Sequence, residues 1–218
     1  MKDKIKLILK NNENLLRFAA LLYNVAYFNL PLVGMFHGVF IKKTKFKIKG
    51  NNCKLICGPK TRLTNCLFYL NGNNTTIQIG ENCILDNLEL WIEDDNGAIY
   101  IGENTTVEGG HFAATEGKKI IVGNDCMFSS GIQIRNGDSH AIFEIDTNDR
   151  INEANDVIIG NHVWLGANVV VLKGSEIADN CIGGTGAIMS GKYLKENAIY
   201  VGIPAKKVRD NIYWKRER

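Results

Sequence analysis

Proline is scarce in this chain: three residues out of 218, against 22 glycines. Disordered and linker sequences carry far more proline, so the glycines are read as corners of an ordered fold. Long apolar runs are missing as well. The most hydrophobic stretch, residues 15–41, is broken by Arg17, Asn24 and Asn29, which leaves no span of about 18 apolar residues able to cross a bilayer. Arg17 also splits the stretch as a signal peptide, and no small-residue cleavage site follows cleanly. An excess of one charge sign is absent: Lys and Arg total 26 and Asp and Glu 23, a formal +3, too little to argue for nucleic acid. The six cysteines and four histidines form no metal-type spacing. Cys53 and Cys57 have neither a second pair nor a nearby His, and no His-x4-His occurs.

A recurring turn is what the chain has instead. A branched aliphatic is followed by Gly and, within two or three residues, Asn: IGENC at Ile79–Cys83, IGENT at Ile101–Thr105, VGNDC at Val122–Cys126 and IGNHV at Ile159–Val163. Degenerate copies are KGNNC at Lys49–Cys53 and IADNC at Ile177–Cys181. Gly80, Gly102 and Gly123 are 22 and 21 residues apart, while Gly160 to Ala178 is 18. Within that last stretch aliphatics recur about every six residues, at Ile159, Leu165, Leu172 and Ile177. A period of six fits neither a helix at 3.6 nor a free amphipathic strand at 2. It fits a triangular coil of three short strands, with one aliphatic per face stacked on its equivalent in the next coil. Gly and Asn take the corners, where positive φ is needed, and the surplus in the longer steps is placed as bulges at corners. Such coils bury their aliphatics only against one another, so the ends need caps. Cys53, Cys83, Cys126 and Cys181 share a slot that Thr105 and Val163 fill elsewhere. They are read as reduced, inward-facing thiols, which points to a reducing, cytoplasmic compartment.

Three regions leave the pattern. In residues 1–45, Leu15, Ala19, Leu22 and Ala26 lie at helical spacing, Asn11–Asn14 offers a cap, and Pro31 and Gly34 end the helix. This short helical segment is read either as a cap on the solenoid or a neighbouring subunit, or as a membrane-surface helix beside the basic run Lys42, Lys43, Lys45, Lys47 and Lys49. Residues 46–209 are the solenoid, interrupted at 135–157 by the polar insertion RNGDSHAIFEIDTNDRINEANDV. Loops that long inside compact domains are functional or disordered. Residues 210–218 form a basic tail.

The segment IIGNHVWLGANVVVLKGSEIADNCIGG, followed by VGIPAKKV, resembles the hexapeptide-repeat acyltransferases. The tripeptide Asp138-Ser139-His140, the acidic loop and NHVWLG resemble in particular the bacterial capsule and polysialic acid O-acetyltransferases. The resemblance covers about residues 46–209 and departs from the family at IGGTGAIMS, Ile182–Ser190, where IGAGSVV is usual. It implies a mainly β, left-handed parallel β-helix, assembled as a homotrimer and transferring an acetyl group from acetyl-CoA to a sugar hydroxyl with no metal. The acceptor it implies is a bacterial surface polysaccharide or its precursor. A free sugar, an antibiotic, serine or an amino sugar is the alternative, and a non-catalytic solenoid a further one. A γ-type carbonic anhydrase would need a three-His zinc site, which the chain lacks.

The attacking hydroxyl must lose a proton, and a neutral imidazole, with an ordinary pKa of ~6.5, suits that task. Of the four histidines, His37 has no polar constellation, His111 lies in EGGHF, and His162 takes a corner that Asn or Asp would fill equally well. His140 alone lies in the insertion, and it matches the family's catalytic His. Asp138, Glu144 or a backbone carbonyl would fix its tautomer. Trp164 stands where an aliphatic is expected, and the resemblance places it where the donor's pantetheine arm meets the reaction centre, able to exclude water. Gly166, Ala167, Gly184 and Thr185 would let the pantetheine approach backbone, with an oxyanion donor among the N–H groups near Gly166 or Ala167. Lys192, Lys206, Lys207 and Arg209 could meet the coenzyme phosphates.

Overall fold

The computed structural model describes residues 38–217. The N-terminal helical segment and His37 lie outside the described residues. Twenty-three strands, numbered β1 to β23 along the chain, make a triangular β-solenoid of seven full turns. Every third strand stacks on the same face, so the first face has nine strands and the second and third have seven each. Stacked neighbours are parallel. The exception closes the end: β22 (Ile199–Val201) pairs with the antiparallel β23 (Lys206–Arg209). The first turn already starts at β1 (Phe40–Lys42), which pairs with Arg62–Thr64 inside the stretch read from sequence as the N-terminal segment.

The core is a set of ladders along the axis. Phe68, Leu90, Phe112 and Ile134 are in register on the second face and fully buried. Burying each such side chain is worth ~1.5–3 kcal/mol. The six-residue beat holds at Leu165 and Ile177, but the residue buried between them is Val171; Leu172 is half-buried and begins the turn.

At the recurring turn, glycine and asparagine do different jobs. Asn82, Asn104 and Asp125 take positive φ, between 53° and 59°. Gly80, Gly102 and Gly123 do not; each is glycine because the next coil is too close. A Cβ on Gly102 would lie 2.5 Å from the carbonyl carbon of Gly123, and one on Gly123 would lie 2.6 Å from that of Gly160. The asparagines also bond upward, Asn82 Nδ2 to Asn104 Oδ1 at 2.7 Å. The thiol slot is polar as well as small: Cys83 Sγ donates to Gly102 O at 3.2 Å, Thr105 Oγ1 to Gly123 O at 3.2 Å and Cys126 Sγ to Gly160 O at 3.2 Å. Burial pushes the Cys83 thiol up to about 11 and Cys126 to about 12, so both stay protonated donors. Lys49–Cys53 is not a copy of this turn. It forms the vertex between the second and third faces, where a Cβ on Gly50 would meet Gly72 O, and Cys53 is only half-buried there.

The surplus of the early coils is concentrated rather than spread over corners. From Leu88 to Ile99 takes 11 residues, whereas the register-matched Val169 to Ser175 takes six. The second face gains one inward alternation, in β8 (Leu88–Ile92), and the vertex after it widens. Extra length in a strand must come in pairs, because a single residue would turn the rest of the face inside out. That vertex also holds the insertion, which leaves β14 (Ile132–Arg135) and returns at β15 (Val157–Ile159), stretching the register step to 37 residues.

Gly102→Ala is expected to lower stability by about 1–3 kcal/mol, as overpacking does, whereas Gly191→Ala, which meets nothing within 4 Å, is expected to be neutral. Thermal unfolding of the two variants checks this; equal midpoints would refute the close-approach account.

Candidate active site

The insertion is clamped to the vertex of the coils on either side of it. Asn152, 6% exposed, is the hub. Its amide Nδ2 donates to His140 O at 2.7 Å and Asp138 Oδ2 at 3.0 Å, while its Oδ1 accepts from Ile142 N at 2.7 Å. Lys173, on the following coil, donates to Asp138 Oδ2 at 2.5 Å and to Asn152 O at 3.0 Å. Glu116, on the preceding coil, pairs with Arg150 and accepts from Ala154 N at 3.1 Å. The Lys173 ammonium draws the Asp138 carboxyl below its ordinary value, and the hydrogen bond from Arg150, then that from Ala154, does the same for Glu116. His140 is held through its backbone: its N–H donates to Asp138 O at 2.8 Å across Ser139 at φ 66°. The side chain is exposed, and no described group hydrogen-bonds its imidazole. Asp138 is occupied by Lys173 and Asn152, and Glu144 accepts from Thr147 Oγ1 at 3.0 Å.

Trp164 lies elsewhere in the prism. It opens β16 (Trp164–Leu165) on the first face, with Leu165 inward and Trp164 outward and 37% exposed. That face is opposite the vertex carrying His140. Next to Trp164 the vertex between the first and second faces stacks Gly166 and Ala167 on Gly184 and Thr185: Gly166 N donates to Gly183 O at 2.8 Å and Gly186 N to Ala167 O at 2.8 Å. A Cβ on Gly166 would lie 2.8 Å from Thr185 N. Lys206, Lys207 and Arg209 follow in β23 at the end of the first face, with Lys207 paired to Asp210 at 2.5 Å. Lys192 stands apart on the third face, paired with Glu176. The structure thus brings together Trp164, the two Gly-containing pairs and the β23 cations, and separates them from His140 and Lys192.

The tail is a strap rather than a loose basic end. It runs back along the vertex between the third and first faces. Trp214, 8% exposed, stacks on His162 with ring centroids 3.9 Å apart and lies 6.0 Å from Trp164. The Trp214 indole donates to His162 O at 3.0 Å, and His162 Nδ1 is 2.7 Å from Asp125 Oδ2. Arg216 donates to Asp125 Oδ1, Thr106 Oγ1 and the carbonyls of Asn104 and Cys126 at 2.9–3.0 Å. The signal for it was a tryptophan in an otherwise basic tail, which a solvated tail has no use for. Asn152, Lys173 and Arg150 gave none, since the partners that clamp them are 10 to 35 residues away in sequence. Among the described residues no cluster of His, Cys, Asp or Glu could hold a metal, and no helix is long and apolar enough to cross a membrane.

No family model matches the chain. It is 39% identical over 113 residues to a polysialic acid O-acetyltransferase of Neisseria meningitidis, covering 52% of this chain and 53% of that one. It is 34% identical over 112 residues to a polysialic acid O-acetyltransferase of Escherichia coli O1:K1 / APEC, covering 51% and 36%. The chain thus spans about half or less of the curated relatives it matches. Among solved structures, the polysialic acid O-acetyltransferase OatWY superposes with a TM-score of 0.60 at 32% identity, covering 80% of this chain and 92% of that one. The polysialic-acid-specific acetyltransferase NeuO does so with a TM-score of 0.67 at 27% identity, covering 80% and 90%. The chain belongs to the hexapeptide-repeat acyltransferase family. Within it, these similarities lie with the polysialic acid O-acetyltransferases.

Carboxylates with lowered pKa values contribute stability above their ordinary range of about 4, and that contribution is lost as pH falls through the lowered value. Acidification from about pH 6 to about pH 3 is therefore expected to release residues 138–154 before the coils unfold. Hydrogen exchange resolved by segment checks this; loop and coils losing protection together would contradict it.

Proposed function

We propose that this chain is an acetyl-CoA-dependent O-acetyltransferase acting on a hydroxyl of a bacterial surface glycan or its precursor. The observation that carries the reading is the clamped insertion, which presents His140 at a fixed point with a free imidazole, in a chain related to polysaccharide O-acetyltransferases. The imidazole of His140 takes the proton of the acceptor hydroxyl as its oxygen bonds to the thioester carbonyl carbon. The carbon–sulfur bond then breaks, and the departing thiolate takes the proton back from the imidazolium. The strip of Trp164, Gly166, Ala167, Gly184 and Thr185 holds the donor. Trp164 walls the thioester from water, and a backbone N–H of that vertex faces the developing oxyanion. Lys206, Lys207 and Arg209 serve the phosphate end, and Lys192, on another face, contributes only from a neighbouring copy.

A vertex and the face opposite it do not meet within one prism, so the reading also takes a homotrimer, in which His140 of one copy faces Trp164 of the next. The left-handed sense of the coil is taken from the family, and a cytoplasmic location from the reduced core thiols; the N-terminal segment remains the candidate for membrane or subunit contact.

His140→Ala is expected to cut acetyl transfer by about 10²–10⁴-fold with an unchanged melting curve; retained transfer in a radiolabel assay would sink the assignment. Site sharing has its own test. Chains carrying His140→Ala and chains carrying Trp164→Ala, each inactive alone, are expected to recover measurable transfer when unfolded and refolded together, because mixed assemblies contain intact sites. No recovery in verified mixed assemblies would rule out a shared site.

A further inference from the structure

The outer surface of the second face carries one column in strict register along the axis: Lys47, Tyr69, Trp91, Ala113 and Arg135. Tyr69 and Trp91 stack at 3.8 Å with an 18° interplanar angle. At Ala113 the column falls away. Two strand spacings, about 9.6 Å, separate Trp91 from Arg135; within the column only the Ala113 methyl lies between them, and the His111 ring stands alongside, edge-on to Trp91 at 6.1 Å. A ring at van der Waals distance from the indole, about 3.5–4 Å, fits there and leaves about 6 Å to the guanidinium, room for a substituent on the ring. A cavity of about 490 Å³ occupies this place, lined also by His111, Glu93 and Ser139, within the size of small-ligand sites, about 300–1,000 Å³. Ser139 adjoins His140.

The walls are preset. The Trp91 indole donates to Glu93 Oε2 at 2.5 Å, and Glu93 Oε1 accepts from Asn71 at 3.1 Å, so the ring is locked with Tyr69 stacked on one side and its other side toward Ala113 and the edge-on His111. Glu116 is taken by Arg150, and Asp94 accepts from Glu116 N at 2.7 Å. Arg135 pairs with no described carboxylate; its nearest polar partner is His111 Nδ1 at 3.5 Å, and burial, then Arg135 itself, keeps that imidazole neutral. An aromatic platform, a carboxylate that can accept from hydroxyls and an unpaired guanidinium opposite match a pyranose bearing a carboxylate.

We infer that the Trp91–Ala113–Arg135 slot binds one acidic sugar residue of the acceptor glycan, with its ring on the Trp91 indole and its carboxylate on Arg135, beside His140. Only the word acceptor rests on the transferase reading; the binding does not.

The test is calorimetry of the full chain with a sialic acid tetramer and, in parallel, with maltotetraose. The wild type is expected to bind the acidic tetramer in clear preference to the neutral one. Arg135→Gln, at an exposed side chain, is expected to weaken the acidic ligand by about ten-fold or more, as loss of a charged hydrogen bond does, and to erase the preference. Ala113→Leu, which points its side chain out of the core and into the slot, is expected to abolish binding of both with its circular dichroism unchanged. Equal affinity in all three chains, no acidic preference, or no binding by the wild type would overturn the slot. Acetyl transfer by a wild type whose glycan binding ignores both substitutions would spare the transferase reading and sink the slot. Slot binding without any transfer would do the reverse.

Discussion

Two turns of backbone meet at Gly80, Gly102, Gly123 and Gly160 with no room between them for a methyl group. That approach fixes the stacking distance and register of the coils that share it, up to the last repeat, where Ala178 takes the slot, and much of the structure follows from it. The aliphatic ladders fill the interior because their Cα positions are forced into line. The Asn82–Asn104 bond and the Thr and Cys donors reach the next coil because the repeat is short enough for one side chain to span. A backbone group left unpaired in such a stack would cost about 1–3 kcal/mol. The small polar slot is therefore as much a part of the repeat as its aliphatics.

The same rigidity decides where the chain can vary. A face can change length only by pairs of residues, and the vertex of the Gly–Asn turn is closed by the approach itself. The vertex between the second and third faces varies in length all the same, although its backbone also comes close at Gly50 and Gly72 in the early coils. It grows from the four-residue turn Leu172–Ser175 to the five-residue Glu93–Gly97, and then to the whole insertion between Arg135 and Val157. Chemistry collects where length is permitted: His140, the Asn152 hub and the cavity beside Trp91 all lie at this vertex or on the face leading to it.

This explains what the sequence could and could not convey. The triangular coil was legible because its constraints are local and periodic: an aliphatic, a glycine and an asparagine within five residues. The position of the insertion was legible as a break in that beat. The roles within the turn were not, because positive φ and close approach select similar residues, and only the coil above distinguishes Gly102 from Asn104. Lys49–Cys53 misled for that reason; it has the turn's composition at a different vertex. The clamp of Asp138 and Asn152 by Lys173, and the strap through Trp214 and Arg216, depend on partners from 14 to 112 residues away, and no periodicity reports such contacts.

The separation of His140 from Trp164 is a property of the prism rather than of either residue. A vertex and its opposite face stay apart however the side chains move, so a reaction using both is a property of an assembly. The partition has a chemical consequence. In the proposed trimer the Trp91 slot and His140 would belong to one copy, and the first-face strip with its glycines and terminal cations to the other. Acceptor recognition and donor recognition would then reside on different protomers at every site, and the vertex holding the acceptor could change its length without disturbing the strip that holds the donor. The proposed donor strip is built from the 18-residue coils, the most regular of the solenoid; the proposed acceptor side is built at the vertex that tolerates insertion. A fold whose register is locked by backbone contact can thus keep one half of a site constant and leave the other half free to vary.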